Sequence, residues 1–297
     1  MSIDLITASP KLLCKLPLFR PVSIRIQHEL DGHTEFARLA RLASLDPSIA
    51  IELLVAANSP VYGFASKIYT VHDAVMILGW EHAKRLIRAA VETESPVDPQ
   101  TESLIKASWA HCLAVAFLAS ELARVVGLPE DRAYSLGLMH DIGRLGMLSA
   151  SPGRYLDLLA FQYVDPMEFL GAEECAIGMN HCKAGSWLAR VWGLPAQFAE
   201  VAASHHDLVL TTDRPAAALV GLACRLAHTG GFAVEDCKQT VSKEVICDAP
   251  PEWLGTLHVN LSDIEGRSRA TLLECAEPFC DLNVVSSLRL RGEIGVL

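Results

Sequence analysis

Aromatic residues make up only 6% of this 297-residue chain, and charged residues only a fifth of it. No run of Lys and Arg occurs, and the formal net charge is −10. A surplus of Asp and Glu repels phosphate backbones, which argues against a general nucleic-acid-binding role. The nine cysteines are an odd number and contain no CxxC pair. Cys112, Cys175, Cys182 and Cys224 fall in helical apolar patterns, where a free cysteine behaves as a small core residue. This suits a reducing compartment, and the location expected is cytoplasmic. The longest uncharged apolar stretch, from Ala107 to Ser120, is shorter than the roughly 20 residues a bilayer-spanning helix needs. A buried core helix is expected there, and no membrane partner. The opening "MSIDLITASP" has no basic patch followed by an apolar core, so no signal peptide is read. Hairpin signals, solenoid repeats and low-complexity tracts are missing as well.

What is present is apolar and helical. Hydrophobic residues are 51% of the chain, and Leu and Ala, both good helix formers, dominate. The length suffices for one large domain or two ordinary ones. "HTEFARLARLASL" is amphipathic and stops at Asp46-Pro47, where Asp46 can cap a new helix with Pro47 in its first turn. Pro60 ends that helix, with Asn58 and Ser59 expected to turn the chain through bonds to backbone. "TVHDAVMILGWEHAKRLIRAAVE" is expected to form one helix capped by Thr or Asp, with Val75, Leu78, Ala83 and Leu86 inward. The polar "ETESPVDPQTES" is the best candidate boundary. Further helices are expected over roughly 103–126, 130–141, 153–163, 171–193, 195–206 and 215–229, and two short ones in the less regular tail. The fold class is all-α: an N-terminal helical subdomain over 11–98, a multi-helix bundle over 99–230, and an extension over 231–297.

Among the eleven histidines, a few sit on apolar faces. His111 aligns with Val115, Leu118 and Leu122. His181 aligns with Glu174, Ile177, Leu188 and Trp192, and His205 with Phe198 and Val201. His140 and Asp141 stand side by side in the apolar run "SLGLMHDIGRLGML", and His206 follows His205. His28, His33, His72, His82, His228 and His258 show no comparable pattern. Each inward histidine alone reads as a core residue bonded to a backbone carbonyl. Together they read as ligands for one or two divalent metals, since neutral imidazole and carboxylate on separate helices are how helical metal sites are built. Periodicity does not show whether the rings meet.

The order His111, His140-Asp141, His181, His205-His206 resembles the HD superfamily of metal-dependent phosphohydrolases, and "LMHDIGRL" resembles the HD-GYP branch, which hydrolyses cyclic di-GMP. The wider chain is similar to the HDOD (HD-related output domain) family. "KLPLFRP", "LASLDPSIAIELLVAANSPVYG" and "TVHDAVMILGW" match its N-terminal half. "SWAHCLAVAFLASELA", "YSLGLMHDIGRLGML", "EECAIGMNHCKAGSWLARVWGLP" and "ASHH" then follow in order, over roughly residues 11 to 230. Three departures from the enzymes stand out. After His205-His206 the chain reads "DLVLTTDRPAAALV", with no Gly-Tyr-Pro. The late aspartate ligand aligns with Cys224, a softer donor. The lysine after the HD pair is Arg144, which keeps a phosphate-binding charge in another geometry. The resemblance implies a bacterial signal-transduction output module acting on signalling proteins without catalytic turnover. Its metal, if held by His111, His140, Asp141, His181, His205 and His206, would be Fe, Mn, Zn or Ni. The alternative is a phosphohydrolase, or a cyclic-dinucleotide phosphodiesterase or sensor, in which Arg144 contacts the phosphate of a nucleotide second messenger.

Overall fold

Caps and glycines set the helix boundaries in the N-terminal part. The computed structural model describes residues 13–31, 35–63, 66–92, 97–207 and 211–237, with Trp253 and Arg267. The first helices are Arg20–Asp31 and Phe36–Ala43. Asp46 then accepts the N–H groups of Ser48 and Ile49 at 2.9 and 3.2 Å, opening the helix Pro47–Ala57. Its second oxygen accepts the Phe19 N–H at 3.0 Å, so the cap also ties down the segment before the first helix. Asn58 ends the helix as expected. Its amide donates to the carbonyls of Leu54 and Ile68 at 2.9 Å each, and its oxygen accepts the Ile68 N–H at 3.1 Å. Ser59 Oγ accepts from Val61 N–H. The single helix expected after Thr70 is two, Val71–Leu78 and Trp80–Glu92. Gly79 between them has φ +74°, a left-handed region open to glycine.

Asp98 caps the 28-residue helix Pro99–Val126, which is longer than the apolar run inside it. Among the described residues it is the one helix long and apolar enough to cross a membrane, by length and composition alone. Here most of it is buried: it packs against Glu130–Leu138 and Pro215–Ala227. Gly137 permits the first contact, because a Cβ there would lie 2.9 Å from the Ala116 Cα and the Val115 carbonyl oxygen. A continuous apolar core runs from Leu13 to Ala227. It is keyed by Trp109, which donates to the Leu45 carbonyl at 2.7 Å and stacks on Phe19 at 4.3 Å between ring centroids. The all-α expectation holds.

Two further boundaries differ from those expected, and both position the site. The helix expected over 130–141 ends at Leu138, and a new one, Ile142–Ala150, starts after Asp141. His140 and Asp141 therefore occupy a turn between helices. The helix expected over 171–193 is Pro166–Ile177 followed by His181–Val191. Gly178, with φ +96°, closes the first, and Asn180 caps the second by accepting the Lys183 N–H at 2.9 Å. Local apolar periodicity ran on through this break because both faces point at the same core. The helix expected over 153–163 is Pro152–Leu159. Helices Ala196–Ser204 and Pro215–Ala227 lie close to their expected ranges. His228–Phe232 forms a short π-helical turn. Two-residue parallel strands then pair Gln162 with Asp236 and Tyr163 with Cys237, which returns the chain beside the Pro152–Leu159 helix. Cys175 is exposed rather than core. The two short helices expected in the tail lie outside the described residues.

Candidate metal centre

His140 and Asp141 are set opposite His181 by a contact without side chains. A Cβ on Gly143 would lie 1.9 Å from the His181 carbonyl oxygen and 2.4 Å from the Gly185 nitrogen. Only glycine lets the Ile142–Ala150 and His181–Val191 helices approach this closely. The Ala196–Ser204 helix also packs on His181–Val191 and delivers His205 and His206 at its end. His111 arrives from the middle of the Pro99–Val126 helix.

The rings converge. Centroids lie 5.1 Å apart for His111 and His140, 4.8 Å for His140 and His205, 5.4 Å for His181 and His205, and 5.2 Å for His181 and His206. Exposure is 1–2% for His111, His140, Asp141, His181 and His205, and His206 is half-buried.

The outer partners of these rings decide their chemistry. His111 Nδ1 lies 2.8 Å from the Phe232 carbonyl oxygen, His140 Nδ1 2.7 Å from that of Gly137, and His205 Nδ1 3.1 Å from that of Ala202. A carbonyl only accepts, so each Nδ1 carries the proton and each Nε2 is left with a lone pair. His181 Nδ1 lies 2.7 Å from Glu173 Oε2, which also accepts the His181 backbone N–H at 2.9 Å. Three imidazoles thus turn bare Nε2 atoms toward one interior, and His181 turns its Nε2 toward Asp141. His111 Nε2 and His140 Nε2 face each other at 3.1 Å. His181 Nε2 lies 3.6 Å from Asp141 Oδ1, and neither atom has a hydrogen-bond partner. The lone pairs of His111 and His140 facing each other are an arrangement that a cation between them would satisfy. Outer hydrogen bonds that fix the tautomer and leave Nε2 inward are the usual supporting shell of a metal site. The donor set is compatible with one or two divalent metals, and His111, His140, Asp141, His181, His205 and His206 are residues that could hold them. Three groups have donor atoms within 4.8 Å of one another: His111, His140 and Asp141; His111, Cys224 and His228, sharing His111 with the first; and, separately, His181, Cys182, His205 and His206.

Charge points the same way. Burial lowers His111, His205 and His206 well below the ordinary imidazole range, lowers His140 to about 4, and lowers His228. These rings stay neutral, as ligands must. Burial pulls His181 down too, but Glu173, with Cys182 and Asp141, outweighs it and the net shift is upward. The field at His181 Nε2 favours positive charge.

Arg144 is 1% exposed and does not reach a ligand-accessible surface. Its Nε donates to Asp141 Oδ2, and its Nη1 lies 3.0 Å from Glu235 Oε2 and 3.4 Å from Tyr155 OH. Tyr155 in turn donates to Glu173 Oε1 at 2.6 Å. Burial pushes the Glu235 carboxyl up, but the Arg144 guanidinium holds it well below the usual range. One guanidinium thus faces three buried carboxylates, Asp141, Glu173 and Glu235.

Four members of this centre were not expected from the sequence: His228, Glu235, Glu173 and Tyr155. The His228 ring lies 5.1 Å from His111. Its spacing of four from Cys224 places both on one helical face, a signal that was available. Glu235 carries no such signal, because strand pairing across more than seventy residues brings it in.

The chain matches the HDOD domain family over residues 16–208, about two thirds of its length, and belongs to that family. Among solved structures, it is similar to the MmoQ response regulator from Methylococcus capsulatus str. Bath, at 21% identity and TM-score 0.68, covering 82% of this chain and 98% of that one. It is also similar to a virulence factor from Campylobacter jejuni, at 20% identity and TM-score 0.57, covering 97% of each chain. At these identities the likeness shows the fold. Comparison with curated proteins finds no match.

Proposed function

We propose that this chain is a signal-transduction output module of the HDOD type that works through contacts with other signalling proteins, without turnover. Its histidine centre holds a divalent metal as a clamp between helices. The observation that carries this reading is burial: the ligand-type residues His111, His140, Asp141, His181 and His205 are 1–2% exposed, and the Arg144 guanidinium is committed to Asp141 and Glu235. Such burial argues against entry of a phosphodiester, and Arg144 is not free to receive its phosphate. A cavity of about 960 Å³ does open in the molecule, but it is lined by Cys14, Leu18, Phe19, Glu52, Glu102 and Trp192, away from the histidines. The response-regulator relative supports a signalling role. The absence of Gly-Tyr-Pro after His206 supports the absence of cyclic di-GMP hydrolysis.

Bound here, a divalent ion supplies Lewis-acid charge to the interior. His140, His181 and His205 would direct their Nε2 atoms to it, with His111 at the edge of the site, Asp141 would offer Oδ1, and Arg144 would keep Oδ2 occupied. A metal-dependent phosphohydrolase is the second reading, favoured by the same complete set of inward Nε2 atoms. The test is metal analysis of the protein purified under reducing conditions, beside His140→Gln and a His140→Ala/Asp141→Ala double variant, followed by a phosphodiester hydrolysis assay on metal-loaded protein. Bound Fe, Mn, Zn or Ni without turnover is expected. Turnover that disappears in the variants would overturn the proposal, and a protein devoid of metal would remove the clamp.

A further inference from the structure

We infer that Cys224 is a metal ligand, and that with His111 and His228 it forms a soft-donor, zinc-type site at one edge of the histidine cluster. The inference rests on the metal reading above and adds the donor that selects the ion.

The geometry is that of ligands around one ion. Cys224 Sγ lies 3.7 Å from His111 Nε2, and donor atoms of Cys224, His111 and His228 lie within 4.8 Å of one another. In a tetrahedral site with Zn–N near 2.0 Å and Zn–S near 2.3 Å, a nitrogen and a sulfur ligand stand about 3.5 Å apart. The His111 Nδ1–H is already given to the Phe232 carbonyl, so its Nε2 has only a lone pair to offer. His228 is nine-tenths buried on its side chain, and its Nε2 has no hydrogen-bond partner. Glu235 Oε1 lies 3.8 Å from that nitrogen and is likewise unpartnered. Two histidines, one thiol and a neighbouring carboxylate therefore meet in the interior. Cys224 and His228 come from the end of one helix and the turn that follows, so their relative placement is rigid.

Binding breaks the Cys224 S–H bond and forms the sulfur–metal bond, and the proton leaves to solvent. A thiolate and two imidazoles favour Zn²⁺, Co²⁺ or Fe²⁺ over Mn²⁺ or Mg²⁺, which prefer oxygen. The site thus takes a different class of ion from one completed by a carboxylate at the same position.

Cobalt titrated into reduced, metal-free protein tests this directly. The wild type is expected to develop a near-ultraviolet thiolate-to-cobalt charge-transfer band. Cys224→Ser should lose that band, and Cys182→Ser should keep it. His228→Ala should weaken cobalt binding by more than about tenfold. Cys224→Asp should shift preference toward Mn²⁺ without the band. X-ray absorption on zinc-loaded wild type needs no variant and should show a sulfur near 2.3 Å. Cobalt bound without a charge-transfer band, or a band lost only in Cys182→Ser, overturns the assignment of Cys224 and leaves the metal clamp standing. No cobalt bound at all overturns both.

Discussion

Replacing Gly143 by alanine should damage both stability and the metal centre, and the size of the effect follows from two distances. The new Cβ would sit 1.9 Å from the His181 carbonyl oxygen and 2.4 Å from the Gly185 nitrogen. Ordinary van der Waals contact begins near 3.4 Å, so the helices must separate by about 1.5 Å. Both obstacles are backbone atoms, so no rotamer change relieves the clash. Overpacking of this kind costs typically 1–3 kcal/mol, and a backbone clash falls at the upper end. For a domain of this size about 3 kcal/mol corresponds to a fall in Tm of roughly 6–12 °C. The same separation pulls His181 Nε2 away from Asp141 Oδ1, so bound metal should fall as well. Gly153→Ala is the control: it lies in the first turn of Pro152–Leu159, and a Cβ there meets nothing within 4 Å. Thermal unfolding followed by circular dichroism, with metal content measured on the same samples, reads both effects. Equal Tm values for the two variants would refute the packing argument, and normal metal content in a destabilised Gly143→Ala would refute its link to the centre.

Three further outcomes are expected. Arg144→Met leaves Asp141 and Glu235 buried without their guanidinium, which should cost about 3–5 kcal/mol; an unchanged urea midpoint would show that Arg144 is not their counter-charge. Metal-free protein should lose stability as pH falls below about 6.5, because the unfolded chain then takes up protons that His111, His140, His205, His206 and His228 refuse in the fold. Each such group contributes a slope of about 1.4 kcal/mol per pH unit down to its folded value, which for His140 is about 4. His181, raised in the fold, stabilises in the opposite sense, fully below 6.5, and denaturant midpoints across this range that rise on acidification would contradict the balance. Asn58→Ala removes three backbone bonds at a turn, and a loss of about 1–3 kcal/mol is expected; signalling abolished at full thermal stability would mark a partner surface instead.

Much of the fold was legible because its signals are local. Asp46 capping Ser48 and Ile49, Thr70 capping Asp73 and Asn58 bonding Leu54 act within a turn, so these roles follow from the sequence alone. The bonds of Asp46 to Phe19 and of Asn58 to Ile68 do not. The inward faces of His111 and His205 were legible for the same reason, since helical period and apolar neighbours decide them together. Breaks at Gly79 and Gly178 escaped notice because glycine is tolerated within a helix until tertiary packing rewards the left-handed turn. That error mattered at His181, which sits at a helix start where Glu173 reaches both its ring and its backbone.

The sequence by itself determined an all-α chain, the HDOD pattern, and the residue types of a candidate metal centre: His111, His140, Asp141, His181, His205 and His206. Only the tertiary structure decided that these side chains converge, that Arg144 is sealed inside beside Asp141, and that Glu173, Glu235 and His228 complete the surroundings. The physical reason is range. Helix faces and caps depend on neighbours within a turn or two. Which nitrogen of an imidazole is bare depends on a carbonyl that can lie over a hundred residues away, as Phe232 does for His111.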